Sequence, residues 1–165
     1  MSITNVLLFQ ATDDVKLIDA RGPRFGAVLT TIFLSVFVVT EALPLLYWQL
    51  AVFTLGAFIG ASPYSFTYRK FVKPRLSGDV PTEDVRPPQF AQFVGFIFAA
   101  SATVAYLLGA ETLGLLLISF ALAAAFLNAG FNFCLGCEVY LLIARAKSAV
   151  ASRKNREDSY NLPNL

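Results

Sequence analysis

The chain has 165 residues, of which 56% are hydrophobic and only 15% are charged, and its mean hydropathy is +0.63. This composition is too apolar for an ordinary soluble domain and indicates an integral membrane protein whose main partner is the lipid bilayer. The net charge is only +2 and the basic residues flank the apolar segments, so nucleic acid is not an expected partner. The absence of histidine excludes imidazole ligands and a Ser-His-Asp triad.

Four segments are apolar and long enough to form transmembrane helices, which need roughly 20 residues each. In chain order they are Phe25–Leu43, Leu45–Phe66, Phe90–Leu108 and Leu113–Ala144. The last has 32 residues and would be about 48 Å long as one straight helix, which is longer than a bilayer requires. It must therefore project from the membrane, tilt or break, and its glycines favour a break between Asn128 and Gly136.

All 13 Lys and Arg residues lie on one side of these four helices, whereas the two hairpin tips carry Glu41 and Glu111. Because basic residues are retained in the cytoplasm, we expect both termini on the cytoplasmic side of a multi-pass protein. The predicted organisation is a cytoplasmic segment 1–18, a membrane domain 19–146 and a polar cytoplasmic tail 147–165. A signal peptide is the alternative for the first apolar run, but the acidic residues before it do not fit such a leader.

A short motif occurs twice in the chain. DARGPRFG begins at Asp19 and DVRPPQFA begins at Asp84, each immediately before an apolar run. The match predicts an all-α fold of four transmembrane helices made of two duplicated hairpins, 19–83 and 84–146. Two copies of even helix number share one orientation, so they should be related by a pseudo-two-fold axis along the membrane normal. Coincidental similarity of two helix starts is the alternative interpretation.

Both motifs place an arginine, Arg21 or Arg86, beside a cytoplasmic helix amino-terminus. Helix amino-termini attract anions, so these arginines are candidates to bind an anionic ligand or a lipid phosphate. Ordinary anchoring at the lipid headgroups is the simpler explanation for basic residues at this depth.

The only cysteines, Cys134 and Cys137, form a CxxC motif at the predicted inner end of the fourth helix. Cytoplasmic thiols are kept reduced, so a permanent disulfide is not expected, but such a pair can close a reversible one. A helix break at Gly136 would place the thiols at a helix amino-terminus, which lowers a thiol pKa. The alternative is that both cysteines are small packing residues. Zinc would need four ligands, and no metal or other cofactor is predicted.

Three charged residues are candidates to assist the cysteines. Glu138 lies on the same predicted helix and is a candidate for proton transfer, although an ionised carboxylate would raise a thiol pKa. The offset between the two motifs, carried along the chain, makes Arg69 the counterpart of Cys134. Arg69 and Lys70 are therefore predicted to support a thiolate across the pseudo-axis.

From about Asp19 to Ala146, the two arginine motifs and the sequence FCLGCE beginning at Phe133 together resemble a bacterial membrane family, domain of unknown function 4395. The resemblance implies a location in the bacterial cytoplasmic membrane and a sulfurtransferase-type partner protein. It implies no catalytic residue, because the family has no established activity.

The leading functional hypothesis is thiol redox chemistry or sulfur carriage through the CxxC motif, for a cytoplasmic thiol or sulfurtransferase-type protein. The alternative is a small-solute transporter or channel between the repeats, where Asn128 and Asn132 are the best polar candidates. A structural membrane subunit is the third possibility. An oligomer is compatible with the small-residue helix faces formed by Gly56 and Gly60 and by their counterparts Ala121 and Ala125.

Overall fold

The structure, a computed structural model, describes residues 16–76, 78 and 81–160, the last six of them by their backbone alone. Its elements are β1 Leu17–Asp19, α1 Arg21–Thr40, α2 Leu43–Thr54, α3 Pro63–Thr67, β2 Thr82–Asp84, α4 Arg86–Leu107, α5 Glu111–Phe131 and α6 Leu135–Tyr160. A π-helical turn, Leu55–Ile59, extends α2, and a π-helical turn Tyr68–Val72 followed by a 3-10 turn Lys73–Arg75 extends α3. The fold is therefore almost entirely helical.

Within the part of the chain that the structure describes, three helices, α1, α4 and α5, are long and apolar enough to cross a membrane. A fourth crossing is available if α2 and α3 count as one span, although their axes differ by 81°. The all-α class and the apolar helices are as predicted, with three or up to four candidate spans.

The second predicted helix, Leu45–Phe66, is wrong as a single element. Its helical path ends at Ile59, because Gly60 takes a left-handed conformation with φ of 71°. The chain restarts at Ser62, whose hydroxyl caps the next helix, and Pro63 lacks the N–H needed to continue the previous one. Gly60 thus ends a helix instead of lying on a small-residue packing face.

The fourth predicted helix breaks inside the window expected for it. Asn132 ends α5 in a left-handed conformation with φ of 56°, which asparagine tolerates better than most residues. The chain then restarts as α6, which runs from Leu135 to Tyr160 and so includes most of the tail predicted at 147–165.

The bundle places apolar side chains on both its inside and its outside. Along α1, Leu34 and Phe37 are fully buried, while Val28, Ile32 and Val36 on another face are exposed. An exposed apolar stripe is what a lipid-facing helix surface requires. The core draws two residues from each of four helices, namely Leu34, Phe37, Leu46, Phe53, Ala99, Ala102, Ile118 and Ala121.

Close helix approach depends on small residues. The most extensive contacts are those of α1 with α5 and of α4 with α5, α6 and α2. A Cβ on Gly95 of α4 would come within 2.7 Å of the Phe53 ring of α2, and one on Gly114 of α5 within 2.6 Å of the Tyr106 ring of α4. These contacts hold the hairpins together as one bundle.

The two repeated motifs meet in a short antiparallel ribbon that the sequence did not predict. Ile18 of β1 pairs with Glu83 of β2, and these two positions are related by the same offset as the motifs themselves. In each motif the aspartate accepts a hydrogen bond from the backbone N–H two residues on, Asp19 from Arg21 and Asp84 from Arg86, both at 3.0 Å. The strands escape prediction because they are three residues long and carry no clear alternation.

Candidate functional site

The CxxC motif occupies the turn where α6 begins. Cys134 lies one residue before the helix, and its Sγ accepts a hydrogen bond from the Cys137 backbone N–H at 3.3 Å. The Glu138 N–H donates to the Cys134 carbonyl at 3.0 Å, which closes the first helical turn. Cys134 therefore has the position of an N-cap residue on a helix of 26 residues.

The two cysteines are joined by a disulfide. The sequence predicted a pair that is largely reduced in the cytoplasm and can close a reversible disulfide. Their Cα atoms are 5.2 Å apart, a normal separation for a disulfide. This proximity follows from the turn, because two residues three apart, the first at an N-cap, lie on one side of the first helical turn.

Gly136 brings the CxxC turn into direct contact with α4. A Cβ at this position would lie 2.7 Å from both Cα and Cβ of Ala91, which is closer than carbon atoms can approach. Ala91 is five residues into α4, so the turn lies about 7.5 Å along that helix from its first residue. The disulfide is therefore held near the end of the bundle at which α1 and α4 begin.

A cavity of about 120 Å³ lies between α1, α4 and α5 and reaches this turn. Leu135 and Gly136, the two residues between the cysteines, form part of its wall, and most of the remaining wall is made of small and aromatic side chains. Its polar groups are Thr30 of α1 and Gln92 of α4. The Gln92 Oε1 atom is buried and has no hydrogen-bond partner among the described residues.

Thr30 also belongs to a polar network inside the bundle. Its Oγ1 accepts a hydrogen bond from Gln49 Nε2 at 3.2 Å, and Gln49 Oε1 accepts one from the Tyr64 hydroxyl at 3.1 Å. The Tyr64 hydroxyl accepts one from Trp48 Nε1 at 3.2 Å. The network connects α3 with α1 and α2, and Thr30 at one end of it lines the cavity.

Arg86 forms an internal ion pair with Asp84, and its predicted role with an anion or lipid phosphate stays a prediction. Its Nη2 and Nε atoms each lie 2.7 Å from Asp84 Oδ2, and its side chain is only 13% exposed. Tyr140 of α6 is buried beside this pair, with its ring 5.7 Å from that of Phe90. Burial raises the Tyr140 pKa, with Asp84 raising it further and Arg86 lowering it.

The other predicted basic residues lie in the first half of the chain. The backbone N–H of Arg21 is bound by Asp19, and the predicted role of its side chain with an anion or lipid stays a prediction. Arg69 and Lys70 belong to the π-helical turn after α3, which packs on α1, whereas α6 packs on α4. The Lys70 ammonium lies over the Phe66 and Phe71 rings, at 5.9 and 5.5 Å from their centroids. Support of a thiolate by these two residues stays a prediction.

A second turn in the chain has the same hydrogen-bond geometry as the CxxC turn. Ser62 lies before α3 and its Oγ accepts a hydrogen bond from the Ser65 N–H at 3.2 Å. Each turn follows a left-handed residue two positions earlier, Gly60 or Asn132. Ser62 thus has the same local geometry as Cys134, and the correspondence of Arg69 with Cys134 stays a prediction.

A tyrosine follows each of the two turns by six residues, Tyr68 after Ser62 and Tyr140 after Cys134. Tyr68 contacts Phe25 and Tyr140 contacts Phe90, both with ring centroids 5.7 Å apart. Tyr68 donates a hydrogen bond to Asp19 Oδ2 at 2.8 Å, as Tyr140 lies beside Asp84 in the other half. Sequence reasoning missed Ser62 and Tyr68, although the spacing of Ser62 and Ser65 around a proline is a recognisable capping pattern.

Comparison with known proteins places the chain in one family. No curated protein and no solved structure matches it. The family model described as domain of unknown function (DUF4395) matches residues 18–145, which include all but the first residue of the ribbon, α1 to α5 and the CxxC turn. The chain therefore belongs to the DUF4395 family.

Proposed function

We propose that this protein is an integral membrane thiol–disulfide exchange protein that acts through Cys134 and Cys137. The observation that carries the proposal is the position of the pair, a disulfide held at the amino-terminus of α6 with Cys134 as its cap. Backbone N–H groups at a helix start favour negative charge, and they lower the pKa of a cysteine thiol placed there.

The distribution of charge supports a cytoplasmic position for this turn. The basic residues fall at the end of the bundle where α1 and α4 begin, and the opposite tips carry Glu41 and Glu111. By the positive-inside rule the CxxC turn faces the cytoplasm of a bacterial cell, where a thiol or sulfurtransferase-type protein is the proposed partner.

The serine turn argues against a purely packing role for the cysteines. Ser62 and Ser65 build the same cap with oxygen atoms, so sulfur is not needed to form such a turn. On this interpretation the chain is a duplicated pair of hairpins, in which one copy has kept a structural cap and the other has a reactive one. The ribbon register and the two tyrosine contacts support the duplication.

The exchange reaction needs no cofactor. In the reduced protein, the Cys134 thiolate attacks a partner disulfide, forms a mixed disulfide and releases the first partner thiolate. Cys137 then loses its proton and attacks the Cys134 sulfur, which forms the internal disulfide and releases the second partner thiolate. Glu138 is exposed, is one residue from Cys137 and is the proposed acceptor of that proton. The reverse sequence reduces the internal disulfide.

Cysteine replacements test the proposal. C134S/C137S should fold and insert normally, because it reproduces the chemistry of the serine turn, but it should lose all exchange with a small disulfide reagent. C137S should exchange once and accumulate the mixed disulfide at Cys134, visible as a mass increase on the intact protein. Equal reagent consumption by the parent and the double variant would overturn the proposal, as would loss of the double variant from the membrane.

A further inference from the structure

One polar side chain near the start of each long helix crosses to the other half of the chain. Arg24 of α1 donates a hydrogen bond from Nε to the carbonyl of Ala129 in α5, at 3.3 Å. Gln89 of α4 donates one from Nε2 to the carbonyl of Ala57, in the π-helical turn that extends α2, at 2.7 Å. Each donor therefore binds the returning helix of the opposite half, close to the end of that helix.

These two hydrogen bonds occupy equivalent places in the two halves. Arg24 and Gln89 are related by the same offset as the repeated motifs. The accepting carbonyls, of Ala129 and Ala57, each lie three residues before a left-handed break and five before the residue that caps the next helix. At this equivalent position the half with the serine cap has a neutral amide, and the half with the cysteine cap has a guanidinium.

The start of α1 also faces the CxxC turn across the small cavity. The cavity wall includes Pro23, which precedes Arg24 in the chain. It also includes Leu135 and Gly136, the two residues between the cysteines. Because Arg24 reaches Ala129 in the last turn of α5, its guanidinium lies at the end of the helix from which the chain enters the CxxC turn. Arg24 is exposed, so its charge is available to a sulfur atom that meets water at this turn.

A cation close to a thiol favours the thiolate, because the charged form gains the electrostatic attraction and the neutral form does not. We propose that Arg24 is a positioning residue that stabilises the thiolate of Cys134 through its charge. This inference rests on the proposed thiol–disulfide function and names the cation that supports its attacking sulfur.

The other charged groups around the turn offer less support to a thiolate. Glu138 of α6 is negative when ionised and acts against a thiolate. Arg86 of α4 is paired with Asp84 at 2.7 Å, so its charge is largely compensated. The remaining titratable groups at this end of α1 and α6 are Arg21, one turn before Arg24, and Tyr140, which is buried and keeps its proton at neutral pH.

The test uses the full chain, reduced and in detergent micelles, with C137S as the background so that Cys134 is the single thiol. The rate at which iodoacetamide alkylates this thiol is measured over a range of pH. R24Q should raise the half-point of the profile by about one pH unit, because a neutral amide replaces the cation. R24K keeps the charge and should stay near the parent value. The matched control R75Q removes an exposed guanidinium from the 3-10 turn and should also keep the parent value.

A second measurement, the melting temperature, separates the electrostatic role from a structural one. R24Q should melt close to the parent, because Gln89 shows that a glutamine can make the same bond at this position. An R24Q half-point equal to that of the parent would overturn the inference, whatever the melting temperature. A shift as large in R24K or in R75Q would also overturn it, because the charge of Arg24 would then not be the cause. A parent half-point at or above about 8.5 would contradict the proposed function itself.

Discussion

At the residue scale, the position of the disulfide depends on the smallest side chain in the motif. Gly136 is in contact with Ala91, and the space for a Cβ at this position is already filled by α4. Ordinary CxxC motifs tolerate many residues between the cysteines, but here the helix contact restricts the second of them. The sequence indicated that Gly136 was a helix breaker, whereas the structure gives it a packing role and assigns the left-handed break to Asn132.

The replacement G136A should destabilise the fold by about 1–3 kcal/mol, because the added methyl group must push α6 away from α4. G130A is the matched control, since a Cβ at Gly130 would meet no atom of another part of the described structure within 4 Å. It should be neutral or should stabilise α5 by a few tenths of a kcal/mol up to about 1 kcal/mol. Thermal unfolding in detergent micelles measures the stability of both variants. Equal melting temperatures for G136A and the parent would show that α6 does not approach α4 this closely.

At the scale of elements, the hydrophobic pattern predicted α1, α4 and α5 correctly. It wrongly predicted one continuous helix for the second apolar run. Leu45–Phe66 has the composition of a continuous span, so only local backbone chemistry could reveal its break. Gly60, Ser62 and Pro63 carried that information in the sequence. The same local reasoning correctly anticipated the break before α6. The ribbon of β1 and β2 was not predictable, because it pairs two very short segments that the whole first hairpin separates.

The capping box before α3 should contribute measurably to stability. S62A removes the acceptor for the Ser65 N–H and should cost about 1 kcal/mol of unfolding free energy. S119A serves as the control, because among the described residues Ser119 bonds only to the Leu115 carbonyl within α5, and loss of that bond should have little effect. The two are compared by denaturant titration in micelles. A larger loss in S119A than in S62A would contradict the capping role of Ser62.

At the scale of the whole molecule, the two halves of the chain have the same sequence of local events. Each half has a strand, an aspartate that accepts a hydrogen bond from the first residue of a helix, a long helix, a returning helix, a left-handed break and a capped restart. The constant offset between the motifs relates Asp19 to Asp84 and Phe25 to Phe90, but Ser62 and Cys134 are seven positions further apart than that offset. The roles of Arg69 and Lys70 beside the cysteines were inferred from that constant offset, and they stay a prediction.

The orientation of the whole protein in the membrane matters for the proposed function, because the exchange requires the CxxC turn to be open to the cytoplasm. The structure contains helices suited to spanning a membrane, and the side that each end faces is inferred from charge. Variants that carry one cysteine each show directly which side of the membrane each end of the bundle faces. In a cysteine-free background, S152C on α6 marks the proposed cytoplasmic side and T112C marks the opposite hairpin tip.

The most direct measurement is the labelling rate of reduced Cys134 in C137S, with a membrane-impermeant maleimide, in sealed vesicles of known orientation over a range of pH. We expect labelling from the same side as S152C, with a half-point well below the reference thiol value of about 8.5. Labelling from the side of T112C would contradict the topology. A half-point at or above the reference value, or no labelling from either side, would contradict a reactive thiolate at the start of α6.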